Sequence, residues 1–156
     1  MLARGGGGAI LKNNGIVIAY WWAIWDTASV AHLEVRTGIP DHQTFWEALA
    51  LLISMVTWKK HFATGPVLII GDNIPALQNT LDLKGRGALM AISREIAWRQ
   101  ARFRWRFDVG HLPSEFNKAP DALSRFAAPS PEPWPYEALE GATESTIPDI
   151  KSIWKC

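Results

Sequence analysis

Three acids lie in apolar surroundings where carboxylates do chemistry. Glu47 falls near the start of a long helical pattern, Asp72 ends an apolar run, and Asp121 lies in the first turns of a short helix. Hard cations such as Mg²⁺ bind through one or two carboxylates plus substrate phosphates. Two such ions about 4 Å apart can clamp the attacking and leaving oxygens of a phosphodiester. Acids from three distant segments, converging at one sheet edge, would suit that reaction. In open α/β sheets, sites form outside the carboxyl ends of strands, and Asp72 stands at such an end. Each acid also has a structural alternative. Glu47 fits the third position of a capping box opened by Thr44. Asp72 could cap the following helix, and Asp121 could face the positive end of a helix dipole.

The histidines say less. His111 follows a strand and could position a phosphate or be an ordinary loop residue, while His32, His42 and His61 have no metal-site spacing. Residues 84 to 106 hold Lys84, Arg86, Arg94, Arg99, Arg102, Arg104 and Arg106 against one acid, Glu95, a charge of +6. Trp98 and Trp105 lie among them. Arginine beside exposed aromatics suits a nucleic-acid backbone and its bases; a solvated helix face with buried tryptophans is the alternative.

The elements that must position these groups follow from periodicity. Ala9–Lys12 and Ile16–Trp22 read as strands around Asn13-Asn14-Gly15, a hairpin turn. Ser29 to Val35 alternates with period two, which predicts a third antiparallel strand. Thr44 to His61 predicts a long helix, with Phe45, Leu49, Leu52 and Val56 on one stripe and Trp46, Ala50 and Ile53 widening it. Val67 to Ile70 is purely apolar, as in a strand buried on both faces. A short helix from about Pro75, a helix over Ala88–Arg102, a strand over Phe103–Val109 and a helix over Asn117–Phe126 complete the series. The order βββ-α-β-α-α-β-α predicts an α/β fold, its mixed sheet antiparallel at first and parallel later, with helices on both faces.

The chain has 156 residues, 48% hydrophobic and 20% charged, in the range of a globular domain. Its net charge of +1 excludes a strong whole-chain field for nucleic acid or membrane, so any such affinity is local and salt-sensitive. A single cysteine, Cys156, excludes a disulfide framework and a cysteine-based zinc site. The apolar run Ile16–Trp25 is about half the length of a membrane-spanning helix. Arg4, Lys12 and the small residues Ala28-Ser-Val-Ala31 give a signal-peptide reading some support, but four aromatics in the run and the preceding glycines oppose it. The expectation is a soluble, intracellular protein, cytoplasmic or nuclear. Composition shifts after Phe126: residues 127 to 156 hold five of the ten prolines and a charge of −3, which predicts a Pro-rich acidic tail or linker without order. Residues 1 to 126 carry +4 and form the expected domain.

Three segments, in order, resemble the ribonuclease H domains of retrotransposon polyproteins. His111-Leu-Pro-Ser-Glu-Phe-Asn117-Lys-Ala-Pro-Asp121-Ala-Leu-Ser-Arg125 is similar to their C-terminal motif. Thr44-Phe-Trp-Glu47 is similar to the helix start bearing a catalytic glutamate, and Ile69-Ile-Gly-Asp72-Asn73 to the strand ending in a catalytic aspartate. The resemblance covers residues 1 to about 126. It implies a ribonuclease H-like fold with a five-stranded sheet. It implies an endonuclease that hydrolyses the RNA strand of RNA–DNA hybrids, tethered in a longer polyprotein to a reverse transcriptase. Glu47, Asp72 and Asp121 would hold two Mg²⁺ or Mn²⁺ ions, with His111 accessory. Asn73, Lys84, Arg86, Arg94, Arg99, Arg102 and Asn117 would contact nucleic acid. One departure matters: the family's first strand begins with an aspartate, and counting back from Gly6-Gly7-Gly8-Ala9 puts that position at Met1, with no acid before Asp26. The implied activity is therefore impaired, in a truncated or decayed copy, and a non-catalytic nucleic-acid-binding or structural module is the alternative. Pro120, where the family more often has alanine, is tolerated in a first helical turn.

Overall fold

The computed structural model describes residues 6–35, 42–71, 74–111, 118–125, 135 and 137–156. Strands β1 (Gly6–Asn13) and β2 (Ile16–Ile24) form an antiparallel hairpin. Asn13 pairs with Ile16 across a two-residue loop in which Asn14 and Gly15 both have positive φ, 52° and 80°. Asn and Gly reach that region at low cost, and the resulting turn matches the strand twist. The register shifts at Leu11/Lys12.

The expected third strand over Ser29–Val35 is instead a 3₁₀ helix, Thr27–Leu33. Asp26 caps it by accepting from the Ala28 amide at 3.0 Å, and Glu34 ends it in the left-handed region. Val30 is fully buried and Leu33, three residues on, packs against the core. Over seven residues the apolar alternation does not separate a strand from this tighter helix. The free edge of β2 is taken from far away in sequence: β5 (Thr143–Glu144) pairs with it in parallel at Ala19 and Tyr20.

The long helix divides. α1 spans Gln43–Thr57 and α2 spans Lys59–Thr64, with Trp58 between them outside helical geometry (φ −107°, ψ 30°). Trp58 is buried, and its indole N–H donates to Ser145 Oγ at 3.0 Å. β3 (Val67–Gly71) follows, then α3 (Ile74–Leu81), α4 (Ala88–Phe103), β4 (Phe107–His111) and α5 (Lys118–Arg125). β3 and β4 pair in parallel, Val67 opposite Phe107 through Gly71 opposite His111. β4 begins four residues later than its alternation predicted, because Phe103 still closes α4 and Arg104 turns the chain in the left-handed region.

The molecule is thus α/β with antiparallel and parallel pairing, but the five strands among the described residues fall in two sheets, β1-β2-β5 and β3-β4. The expectation that β3 is buried on both faces is corrected: Ile69 is buried, while Leu68 and Ile70 are 60% and 49% exposed. An apolar run reports hydrophobicity, not the number of faces covered.

The hairpin has a helix on each face. Ala9, Trp21 and Ala23 lie on the face toward α1, where the Trp21 indole N–H donates to Ser54 Oγ at 3.0 Å. Gly6 and Gly8 lie on the opposite face, against α5. A Cβ on Gly8 would sit 2.5 Å from Leu123 Cβ, and one on Gly6 would collide with the Ser124 carbonyl. The glycines let α5 rest on backbone.

The proline-rich tail expected from composition is corrected for its last twenty residues. Leu139, Ile150 and Ile153 are buried, the last two within the central core. A 3₁₀ helix over Ile150–Ile153 is capped by Asp149. Isolated apolar residues among prolines and acids have no periodicity to announce this docking. Among the described residues, no helix is long and apolar enough to cross a membrane, and the run Ile16–Ile24 is β2.

Candidate functional site

Trp46 fixes the N-terminal turns of α1. Its ring stacks on Trp25, centroids 5.2 Å apart and planes 23° from parallel, while Trp25 meets Trp21 edge-on at 6.3 Å. A Cβ on Gly7 would strike the Trp25 ring, so this end of α1 lies beside the start of β1. Glu47, adjacent to Trp46, is half-buried there. The helix begins at Gln43, His42 is its cap residue, and no side chain caps it. A capping box opened by Thr44 would need a later start, so that structural reading of Glu47 falls away.

From the opposite face, α5 crosses the same end of the hairpin through Ala122, Leu123 and Ser124, the first two buried. Asp121 lies on this helix, within a turn of Leu123; its side chain is outside the described residues. Asp72 and Asn73, which join β3 to α3, and Asn117, which precedes α5, also lie outside them. His111 ends β4 level with Gly71, the last residue of β3. The fold thus brings the helix bearing Glu47 and the helix bearing Asp121 to one end of β1, and aligns the ends of β3 and β4. Among the described residues no three acidic, histidine or cysteine side chains group as a metal site. β1 carries no carboxylate.

The basic segment divides by burial. Lys84 and Arg86, before α4, are exposed, as are Arg94 and Arg102 on it. Arg99 is corrected as a nucleic-acid contact: it is 5% exposed and engaged inside the molecule. Its guanidinium donates to Glu95 Oε2 at 2.7 Å and to the Ile153 carbonyl at 2.8 Å. Glu95 Oε1 accepts from the amides of Lys155 at 2.7 Å and Cys156 at 2.6 Å. Two paired charges therefore hold the backbone of the C-terminal segment against α4. The i,i+4 spacing of Glu95 and Arg99 was the only sequence signal of this clasp. Burial, and next the Glu95 carboxylate, push the Cys156 thiol above its ordinary pKa, which disfavours the thiolate needed for nucleophilic chemistry.

Comparison with protein-family models, with curated proteins and with solved structures returned no match.

Proposed function

We propose that this chain is a ribonuclease H-type domain whose chemistry is metal-dependent hydrolysis of the RNA strand of an RNA–DNA hybrid. The observation that carries the reading is the flanking of the β1 start by two carboxylate-bearing helices, α1 with Glu47 and α5 with Asp121, on opposite faces of one hairpin. Two further features support it: Asp72 directly follows β3, and β3 and its parallel partner β4 end together. Glu47, Asp72 and Asp121 would hold Mg²⁺ or Mn²⁺, which activates water and neutralises charge on the phosphodiester. His111, at the end of β4, is the accessory group of this reading. Exposed Lys84, Arg86 and Arg94 supply screened attraction for the backbone. The resembled family's first-strand aspartate falls at Met1 and no acid precedes Asp26, which removes one metal-bridging ligand, so activity is expected to be weak. That same absence favours the second reading, a nucleic-acid-binding module without chemistry.

The test is cleavage of a labelled RNA–DNA hybrid with Mg²⁺ or Mn²⁺ by the chain, by Met1→Asp placed behind a short leader, and by that variant carrying Glu47→Gln. Cleavage by the Met1→Asp protein, abolished by Glu47→Gln, supports the nuclease reading. No cleavage by any of them, with all three folded, rejects it and leaves the binding module.

A further inference from the structure

Helix α4 sets exposed rings beside its arginines, and hybrid hydrolysis does not use those rings. Arg94, Trp98 and Arg102 recur every four residues, so they form one stripe, and all three are exposed. Trp98 is 39% exposed and Phe103 47%. Phe103 stacks on Trp105, centroids 5.5 Å apart and planes 28° from parallel, and buried Trp105 packs on Phe62 at 5.4 Å. Trp98 meets Phe103 edge-on at 6.2 Å. A ladder of rings thus runs from the core to the surface. The Arg102 guanidinium lies 5.5 Å from the Trp98 centroid and 5.8 Å from that of Phe103, a cation–π arrangement that orders the arginine before any ligand arrives. Arg104 holds φ 55° between the two stacked rings, at a position where glycine or asparagine is usual.

The side-chain charge along α4 and the turn after it is predominantly positive. Between Gly87 and Phe107 the sole acid is Glu95, which is 1% exposed and neutralised by Arg99. Arg94, Arg102, Arg104 and Arg106 remain outward, and exposed Lys155 lies alongside because its amide is held by Glu95. The next acid along the chain is Asp108 on β4. Exposed rings among predominantly positive side chains match a polyanion with free π faces. A single strand offers its bases for stacking, whereas a duplex or hybrid keeps them paired inside.

We propose that Arg94, Trp98, Arg102 and Phe103 form a stacking site for single-stranded nucleic acid. The site lies near the start of β4 (Phe107), about 13 Å of strand away from His111, and shares only Arg94 with the nuclease reading.

The experiment is fluorescence anisotropy of labelled oligothymidylate and oligouridylate with the full chain, in EDTA, across a salt series. EDTA silences metal-dependent cleavage, so failure of the nuclease reading does not affect the result. The expected outcome is salt-dependent binding of both strands, weaker for the matching RNA–DNA hybrid. Trp98→Ala and Phe103→Ala should each weaken it by about five- to a hundredfold, and Trp98→Phe should retain most of it. Arg94→Ala should lower the salt slope by about one. Circular dichroism checks each fold; if Trp98→Ala does not fold, Trp98→Tyr and Arg94→Ala carry the test. Absence of binding overturns the proposal. So does binding untouched by the ring variants, equal preference for the hybrid, or equal competition by polyglutamate, which would mark an acidic protein partner instead.

Discussion

Glu95 and Arg99 show how one ion pair organises a distant segment. The pair is fully desolvated, 1% and 6% exposed at the side chains, yet its atoms are satisfied by the Ile153 carbonyl and the Lys155 and Cys156 amides. A buried pair with its remaining valences filled stands; one partner left alone is an uncompensated charge. Glu95→Ala should therefore destabilise by about 3–5 kcal/mol, read as a shift in urea midpoint. The double change with Arg99→Ala should cost clearly less than the sum of the two single changes, because the charges are coupled. Strict additivity would show that the pair does not interact. Glu47 differs: half-buried and outside any capping box, its carboxylate is not needed to start α1. Glu47→Gln should leave the melting temperature within about 2–4 °C, a change of at most ~0.5–1 kcal/mol, and should remove any hybrid cleavage.

At the scale of elements, the glycines of β1 and the exposed face of β3 make opposite predictions. Gly8 faces Leu123 at a distance no real Cβ tolerates, and the Leu123 and Ser124 backbone is close behind. Gly8→Ala must push α5 away from the hairpin, at about 1–3 kcal/mol for overpacking. A thermal melt measures that loss, and an unchanged melt would mean α5 does not rest on β1. β3 turns Leu68 and Ile70 outward. Replacing both with threonine should change stability by no more than about 0.5 kcal/mol per site. A loss of several kcal/mol would instead indicate the continuous, doubly covered sheet that the apolar run suggested.

For the whole molecule, residues 137–156 act as a clamp. They add β5 to the edge of β2, satisfy Trp58 through Ser145, and bury Ile150 and Ile153 in the main core. Removing everything after residue 136 withdraws three buried aliphatic side chains, Leu139, Ile150 and Ile153, each worth about 1.5–3 kcal/mol. That sum is comparable to a whole domain's stability, so the shortened chain should lose its cooperative near-ultraviolet circular-dichroism transition. A sharp transition at unchanged temperature would show that residues up to 136 fold without the C-terminal segment.

What the sequence determined by itself was local. The Asn14-Gly15 turn, the apolar stripe of α1, the helices over α3, α4 and α5 and the strand β3 all follow from turn chemistry and periodicity acting over a few residues. The candidate acids were legible as acids in apolar settings, and the basic segment as a run of charge. Tertiary structure alone decided the rest. Ser29–Val35 has too few residues for its alternation to outweigh the Asp26 cap, so it became a 3₁₀ helix. Arg99 reads like its neighbours in charge, but its i,i+4 acid and the returning backbone of Ile153 took it inside. The edge of β2 was filled by residues more than a hundred positions away, a choice governed by which segment could bury Ile150 and Ile153 at the same time. Such selections depend on desolvation and packing between segments remote in the chain, and no local pattern encodes them.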